Sequence, residues 1–202
     1  MKAKKQYFTI SDLHFGHENI RKFYYDEGGV DRLVRPDIRT GTWLNQFRDL
    51  EDHDDFLIQQ WNDTVPDNAT VYVLGDVAIN RAKGMHKLAR LNGRKILVPG
   101  NHDIFPAKEY LKYFDDVRAY IVRNGCIFSH IPVHTSQLER FVMNIHGHLH
   151  QRWVPYSQAD GRADPRYLNV CVEYCKDYKP INMEEVWEYR NSLQIDKTRS
   201  GW

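Results

Sequence analysis

The chain has 202 residues, of which 42% are hydrophobic and 13% aromatic, so it can bury the core of one ordinary domain or a single larger α/β unit. Its 28 basic and 27 acidic side chains give a formal net charge of +1, which argues against a long contact with nucleic acid or an anionic membrane. No apolar run of signal-peptide or membrane-spanning length is present, and the three cysteines show no zinc-ribbon pairing. We therefore expect a cytoplasmic protein with free thiols.

Short apolar runs that end in polar residues or glycine predict buried strands whose carboxyl ends open into loops. In chain order these runs are residues 7–10, 71–74, 96–98, 126–128, 142–145 and 167–172, with 120–122 as a hairpin partner of the run at 126. Helices are predicted over residues 47–61 and 82–89, and from a capping pair at Asn182 and Glu185 to residue 190. We expect a single domain over residues 1–202, in which the irregular segment at about 26–45 is a variable loop or lid.

The carboxyl ends of five successive predicted strands carry side chains that bind metal ions. They are Asp12 with His14, Asp76, Asn101 with His102, His130, and His148 with His150. In open α/β sheets ligands bind at the carboxyl ends of strands, so we expect these side chains to meet in one crevice. Mixed oxygen and nitrogen donors suit Mn²⁺, Fe²⁺, Zn²⁺ or Ni²⁺, and about seven or eight donors are enough for two ions. A structural zinc site is disfavoured, because such sites prefer four thiolate or imidazole ligands.

The same residues stand in five ordered motif blocks: Asp12-x-His14, Gly75-Asp76, Gly100-Asn101-His102-Asp103, His130 and Gly147-His148-x-His150. With these blocks the chain resembles the calcineurin-like metallophosphoesterase superfamily over residues 6 to about 180. The runs "ISDLHFGHENI" and "DYKPI" are similar to small single-domain bacterial and phage-encoded members. The resemblance implies an α/β fold, a four-layer α/β/β/α sandwich in which two mixed β-sheets are flanked by helices.

The resemblance also implies two divalent metal ions, with Mn²⁺ expected and Fe²⁺, Zn²⁺, Ni²⁺ and Mg²⁺ as alternatives. One ion would be bound by Asp12, His14, Asp76 and His150, and the other by Asp76, Asn101, His130 and His148. Asp76 would bridge the ions, because a carboxylate has two acceptor oxygens. A hydroxide between the ions would attack phosphorus in line with the leaving group. The implied catalytic residues are His102, which would protonate or stabilise the leaving oxygen, and Asp103, which would orient His102.

The last motif block contains two further residues with a predicted role. His146 has no counterpart in the family motif and is expected to be packed or hydrogen-bonded and not to be a ligand. Gly147 is expected to let the backbone turn tightly. Since His148 and His150 would approach different ions, strand alternation alone does not describe their geometry.

The expected activity is hydrolysis of a phosphodiester in a small molecule or nucleotide. Protein phosphatases of the superfamily continue the second block as Gly-Asp-x-x-Asp-Arg-Gly, whereas Ile79 and Asn80 occupy the acid and arginine positions here. The alternatives are phosphomonoester hydrolysis, nuclease action at nucleic-acid ends and, from another class, a catalytically silent metal-binding scaffold. Candidate substrate contacts are His17, Asn19 and Arg39. The alternative for the first two is a structural role at the start of a helix, and for Arg39 a solvated surface.

Overall fold

The computed structural model describes residues 5–18, 49–157, 159 and 161–193. Within these ranges the strands are β1 (Tyr7–Ile10), β2 (Thr70–Val73), β3 (Arg94–Leu97), β4 (Asp116–Val117), β5 (Ile121–Arg123), β6 (Cys126–Ser129), β7 (Met143–His146), β8 (Tyr167–Asn169) and β9 (Ile181–Asn182). The α-helices are α1 (Leu50–Thr64), α2 (Ala107–Tyr110) and α3 (Met183–Ser192), and 3₁₀-helices cover Met85–Arg90, Thr135–Glu139, Val172–Tyr174 and Lys176–Tyr178. None of the helices in these ranges is long and apolar enough to cross a membrane. The predicted loop at about 26–45, together with Asn19 and Arg39, lies outside the described residues.

The strands form two mixed sheets. The first sheet has the order β4-β3-β2-β1-β9, in which β1 to β4 pair in parallel and β9 is antiparallel to β1. The second sheet has the order β5-β6-β7-β8, in which β5 is antiparallel to β6 and the other pairs are parallel. The predicted α/β fold with two mixed sheets is therefore confirmed.

Two hydrophobic cores lie on opposite faces of the first sheet, because side chains alternate along its strands. In β2, Val71 and Val73 pack in the core that contains Trp61 of α1. Tyr72 lies between them in sequence and packs in the other core, where its ring centroid is 5.4 Å from that of Phe128 in β6. The second sheet thus covers one face of the first and α1 covers the other. Helices outside the second sheet, the fourth layer of the expected sandwich, remain a prediction.

Helix α1 carries a buried ion pair that supports the loop after β1. Asp49 is the N-cap of the helix, and its side chain accepts a hydrogen bond from the backbone N–H of Asp52. Lys87 in the 3₁₀-helix Met85–Arg90 places Nζ 2.7 Å from Asp54 Oδ2, with side chains that are 1% and 0% exposed. The same carboxylate oxygen accepts the N–H of Gly16 at 2.9 Å. The pair therefore links α1 and the 3₁₀-helix to the first motif block.

Most predicted elements are found with shifted ends, and two need correction. The pattern at residues 82–89 forms a 3₁₀-helix that begins only at Met85, because Asn80 Oδ1 accepts the N–H groups of Ala82 and Lys83 and holds a turn there. The strand predicted over residues 167–172 ends at Asn169. The side chain of Asn169 accepts the N–H of Cys171, and a 3₁₀-helix follows. The hairpin of β5 and β6 and the helix capped by Asn182 are confirmed.

Candidate metal centre

Two groups of metal-binding side chains meet where strand ends of both sheets converge. The first group is Asp12, His14 and His150, and the second group is Asp76, His130 and His148. In each group the ligand atoms lie within 4.8 Å of one another. An isolated parallel bridge between Ser11 and Cys171 joins the chain beyond β1 to the chain beyond β8, so the two sheets are held together at this point.

The two carboxylate oxygens of the buried Asp12 have different surroundings. Oδ2 lies 2.5 Å from Ser11 Oγ and 3.1 Å from Cys171 Sγ, and it accepts the backbone N–H of His148 at 2.9 Å. Oδ1 has no hydrogen-bond partner among the described residues. It faces Nε2 of the two first-group histidines at 3.6 and 3.7 Å. Three donors thus fix the carboxylate so that one oxygen is presented to the imidazoles.

Asp76 connects the two groups. Its Oδ1 accepts the backbone N–H of His102 at 2.8 Å. Its Oδ2 lies 3.4 Å from His130 Nε2 in the second group and 3.9 Å from His14 Nε2 in the first. The sequence predicts that Asp76 bridges the two ions through both oxygens of its carboxylate. In the structure a single oxygen borders both groups, because the other is engaged by the backbone.

Asn101 lies beside the second group. Its Oδ1 is 2.9 Å from His130 Nε2, and His130 Nδ1 is 2.7 Å from the carbonyl oxygen of Leu74. Because a carbonyl only accepts hydrogen bonds, the Nδ1 of His130 carries a proton, and Nε2 is the nitrogen that faces Asn101 and Asp76. The ring centroids of His130 and His148 are 5.1 Å apart. The side chains of Asn101, His130 and Asp76 therefore offer donor atoms to one point.

The carboxylates and imidazoles shift one another's pKa values. Burial alone would raise the pKa of Asp12, but the surrounding histidines outweigh it and hold that pKa well below the usual range. Burial alone would lower the pKa of His150, but Glu173 and, to a smaller extent, Asp12 raise it to about 9. A divalent cation at His150 must therefore displace a proton, so its binding depends on pH.

Five predicted ligands adopt left-handed backbone conformations. The φ angles are 59° at Asp12, 49° at His14, 52° at Asp76, 70° at His148 and 49° at His150. This conformation costs a non-glycine residue about 1–2 kcal/mol, and it persists where the surrounding structure fixes it. The resulting turns redirect side chains that would otherwise alternate along a strand. They account for the way in which His148 and His150 join different groups.

Gly147 serves the site through its missing side chain. A Cβ atom at this position would lie 2.0 Å from Ser11 Oγ and 2.3 Å from Asp12 Oδ2. The predicted role of Gly147 in a tight turn is corrected, because it is not among the glycines with positive φ and the left-handed residues are the two histidines that follow it. Close approach of two backbone segments requires glycine here.

Asp103 binds the backbone of the ligand loops. Its carboxylate accepts the N–H groups of Asp76 and Gly100 at 2.8 Å and of Val77 at 3.1 Å. No hydrogen bond joins it to His102 in the described part of the chain. The predicted orienting role of Asp103 is therefore corrected: its side chain ties the second motif block to the third.

Three other histidines lie close to the ligands. The exposed His102 has its ring centroid 5.7 Å from that of His14, and the half-buried His17 has its centroid 5.9 Å from the same ring. Both rings therefore border the first group. His146 is buried and hydrogen-bonded through Nδ1 to the carbonyl oxygen of Gly147 at 2.8 Å, as predicted. Burial lowers the pKa of His146 to about 4, so its ring is neutral near pH 7.

The donor set fits divalent cations. Asp12 Oδ1 and both ring nitrogens of His14 are buried without a hydrogen-bond partner among the described residues. A buried polar atom without a partner costs about 1–3 kcal/mol, and coordination to a cation would remove that cost. Carboxylate, amide and imidazole together are the ligands expected for Mn²⁺, Fe²⁺ or Zn²⁺.

Comparison with known families decides the assignment. A model of the calcineurin-like phosphoesterase family matches residues 8–188. The chain belongs to this family. This calcineurin-like phosphoesterase is thus a metal-dependent hydrolase of phosphate esters, as the order of the motif blocks predicts.

Similar proteins span most of the phosphoesterase. An uncharacterized protein of Methanocaldococcus jannaschii, MJ1445, is 28% identical over 188 residues, which cover 90% of this chain and 89% of that protein. The Gene 66 protein of Mycobacterium phage D29 is 25% identical over 222 residues, covering 93% and 96%. The Gene 66 protein of Mycobacterium phage L5 is 35% identical over 101 residues, covering 48% and 39%. The crystal structure of the protein of unknown function AQ665 from Aquifex aeolicus has a TM-score of 0.63 at 26% identity, covering 92% of this chain and 99% of that one.

Two residues of the phosphoesterase next to the first group were not predicted as parts of the site. Glu173 is buried and places Oε1 2.6 Å from His150 Nδ1. The thiol of Cys171 approaches the carboxylate of Asp12 at 3.1 Å. With His150 these two residues form a third cluster whose ligand atoms lie within 4.8 Å of one another. The usable signal was their place at the end of the sixth predicted strand, residues 167–172, which contains Cys171 and is directly followed by Glu173.

Proposed function

We propose that this phosphoesterase is a dinuclear phosphodiesterase, which acts on a small molecule or nucleotide with two divalent cations, Mn²⁺ first among them. The observation that carries the proposal is the place of Asp76 Oδ2, 3.4 Å from His130 Nε2 and 3.9 Å from His14 Nε2. One carboxylate oxygen that borders two ligand groups suits a pair of cations, because the shared negative charge offsets their repulsion.

The residues that would hold each cation follow from the two groups. The first cation would be bound by Asp12, His14, Asp76 and His150, and the second by Asp76, Asn101, His130 and His148. When bound, the two cations supply Lewis acidity, which polarises phosphoryl oxygens and lowers the pKa of water toward neutrality. The chain contributes orientation. Donors from Ser11, Cys171 and His148 hold Asp12 so that Oδ1 is presented without rearrangement.

His102 is the proposed general acid. The bond from its backbone N–H to Asp76 Oδ1 fixes its loop against the ligands, while its side chain is exposed toward solvent. A protonated imidazole beside the two groups can donate its proton to the leaving oxygen. His17 is a proposed substrate contact, because its ring borders the first group. Asn19 and Arg39 lie outside the described residues, and we keep them as proposed substrate contacts.

The second motif block supports a preference for diesters. Asn80 occupies the position of the phosphoryl-binding arginine, and its side chain caps a turn. Arg81 does not replace that arginine, because its guanidinium donates to Glu109 at 2.7 Å. A monoester dianion needs a cationic clamp more than a diester monoanion does, since it carries one more charge. The absence of the arginine therefore weakens the binding of a diester less than that of a monoester.

Three substrates separate the candidate activities of the Mn²⁺-loaded chain. We expect kcat/KM for bis(p-nitrophenyl) phosphate to exceed that for p-nitrophenyl phosphate by at least about tenfold, or ~1.4 kcal/mol of transition-state stabilisation. An end-labelled oligonucleotide should stay largely intact. Faster monoester hydrolysis would make the chain a phosphomonoesterase, and efficient trimming of the oligonucleotide alone would make it a nuclease.

Elemental analysis tests the dinuclear part of the proposal. The wild-type chain should bind two Mn²⁺ ions, and Asp76→Asn should weaken both, because one oxygen borders both groups. The matched control is Asp164→Asn, since Asp164 is also buried but pairs with Arg166. It should leave both ions in place. A single ion in the wild-type chain contradicts the dinuclear proposal.

We also propose a cytoplasmic location. Cys126, Cys171 and Cys175 are buried and free, and burial raises the pKa of the Cys126 thiol to about 11. Unpaired thiols of this kind are typical of reducing compartments. In cell fractionation the protein should follow a cytosolic marker, and recovery in the medium or in membranes would contradict the proposal.

A further inference from the structure

Glu173 contacts the predicted metal ligand His150 at the ring nitrogen that points away from Asp12. It is 4% exposed and lies in the 3₁₀-helix Val172–Tyr174, where its Oε1 is 2.6 Å from His150 Nδ1. The other nitrogen of the same ring, Nε2, is 3.7 Å from Asp12 Oδ1. The imidazole of His150 is therefore held between two carboxylates, one inside the first group and one outside it.

The outer carboxylate decides which nitrogen can bind a cation. Ionised Glu173 only accepts hydrogen bonds, so the Nδ1 of His150 must carry a proton. A neutral ring then keeps its lone pair on Nε2, the atom that faces Asp12. Hydrogen bonding to a carboxylate also makes the ring a stronger donor to a metal.

His150 needs this support more than His14 and His130 do. Its side chain is 41% exposed, whereas those of His14 and His130 are 5% and 2% exposed and are held by packing. A half-exposed ring can rotate unless a hydrogen bond fixes it. Within the described residues, Glu173 is the one side chain that hydrogen-bonds the imidazole of His150.

The position of Glu173 is fixed by the backbone that also holds Asp12. The N–H of Val172 donates to the carbonyl oxygen of Ser11 at 2.9 Å, in the bridge that joins the two sheets. The preceding residue, Cys171, contacts Asp12 Oδ2 through its thiol at 3.1 Å. The segment from Cys171 to Glu173 therefore touches two members of the first group.

Stability alone does not account for a buried acid at this place. Glu173 Oε2 is buried without a hydrogen-bond partner among the described residues, which is unfavourable for a carboxylate. A well-packed apolar side chain would avoid that penalty. A role toward the ligand explains why an ionisable side chain occupies the position.

We propose that Glu173 is a positioning residue, which holds His150 with its Nε2 lone pair toward Asp12 and His14 and thereby sets the affinity of the first group for a divalent cation. The inference rests on the proposed dinuclear function. It adds to the ligands a residue that would not itself touch the cation.

Titration of the chelator-treated full chain with Mn²⁺ tests the proposal by isothermal titration calorimetry. Glu173→Gln keeps the shape of the side chain and removes its charge. We expect the affinity for one of the two ions to fall by about 10–100-fold and the affinity for the other to stay within about twofold of wild type. Saturating Mn²⁺ should restore most of the turnover. Near neutral pH the chelated variant should unfold somewhat more easily in urea than wild type, because the imidazole of His150 loses its charged partner, while its far-ultraviolet circular dichroism should be unchanged.

A second variant and a control keep the test decisive. Glu173→Asp keeps the charge but has a shorter side chain, so its loss of affinity should be smaller than that of Glu173→Gln. If Glu173→Gln does not fold, Glu173→Asp takes its place in the test. Asp164→Asn, at an equally buried acid, should bind both ions as wild type does. Unchanged affinity in both Glu173 variants, or equal weakening of both ions with reduced stability, overturns the positioning role. If the wild-type chain binds fewer than two ions, the proposed function fails instead.

Discussion

Replacing Lys87 by methionine tests whether the buried ion pair beneath the first motif block holds the fold together. Lys87 Nζ lies 2.7 Å from Asp54 Oδ2, and the two side chains are 1% and 0% exposed. Methionine keeps most of the apolar stem and removes the charge, so Asp54 stays buried with the N–H of Gly16 and the ring of His53 as partners. Removing one partner of a buried ion pair costs about 3–5 kcal/mol.

The structure places the expected loss near the lower end, at about 3 kcal/mol. The N–H of Gly16, at 2.9 Å, continues to satisfy one oxygen of Asp54. The second acid bound to Lys87, Glu51, has a side chain that is 62% exposed and is hydrated when its partner is removed. The penalty therefore falls almost entirely on one carboxylate.

Arg90→Met is the matched control, because Arg90 lies in the same 3₁₀-helix and pairs with Asp55, the neighbour of Asp54 in α1. That pair is 2.6 Å long, but its side chains are 47% and 50% exposed. Exposed ion pairs contribute about 0–1 kcal/mol. Urea-induced unfolding in the presence of a chelator, followed by far-ultraviolet circular dichroism, compares the two variants with wild type. Equal losses of unfolding free energy would refute the reasoning from burial.

The pH dependence of the loss is a second test of the same pair. Burial alone would lower the pKa of Lys87, but the hydrogen bonds that its ammonium donates to Asp54 and Glu51 outweigh burial and raise that pKa above 10.5. A raised pKa in the folded state means that the contribution is fully present below pH 10.5 and is lost as the pH rises through the folded-state pKa. The difference between wild type and Lys87→Met should therefore be constant between about pH 7 and 9 and shrink in more alkaline solution.

Three further predictions concern the metal centre. Gly147→Ala places a Cβ 2.3 Å from Asp12 Oδ2, so the carboxylate must move by about 1 Å, and turnover should fall about 100-fold. Gly161→Ala has open space but a φ of 64°, so it should cost some stability and change turnover little. His102→Ala should lose about 10²–10⁴ in kcat and still bind two Mn²⁺ ions by elemental analysis. Treatment with a chelator should lower the midpoint of thermal unfolding without changing the far-ultraviolet circular dichroism at 25 °C.

Each of these predictions has a clear contrary result. Wild-type turnover in Gly147→Ala would mean that the loops at the strand ends can move apart freely. Undiminished kcat in His102→Ala would remove that residue from the proton transfer. Loss of secondary structure on chelation would mean that the cations and not the protein contacts build the site.

The sequence predicts the central strands well, because their signal is local. Each residue of β2 is buried, and the same holds for β6, so both strands read as short continuous apolar runs that stop at polar residues. The strands β4 and β9 have two residues each and leave no pattern to read. Their existence depends on the edges of β3 and β1, with which they pair. Tertiary pairing, not propensity, creates these two strands.

The motif order locates the ligands, but it does not give the partners of the ligands. Glu173 is 23 positions from His150, and the parallel pairing of β7 with β8, the strands that precede the two residues, brings them together. Asp103 shows the opposite case, because its neighbour in sequence, His102, suggested a pair. Its carboxylate instead accepts backbone N–H groups 26 and 27 positions away. In a tight loop, consecutive side chains point apart, so adjacency in sequence is a poor guide to contact.

Hydrogen bonds within the protein hold the left-handed backbone of the ligands. The N–H of Asp12 donates to the carbonyl oxygen of Gly75 at 3.0 Å and that of His14 to the carbonyl oxygen of Asp76 at 2.9 Å, so the first two motif blocks continue the pairing of β1 and β2. Left-handed backbone at five ligands costs about 1–2 kcal/mol for each residue, which is comparable in sum with the usual net stability of a domain, about 5–15 kcal/mol. The three amides bound by Asp103 lie in these same loops and help to offset the strain.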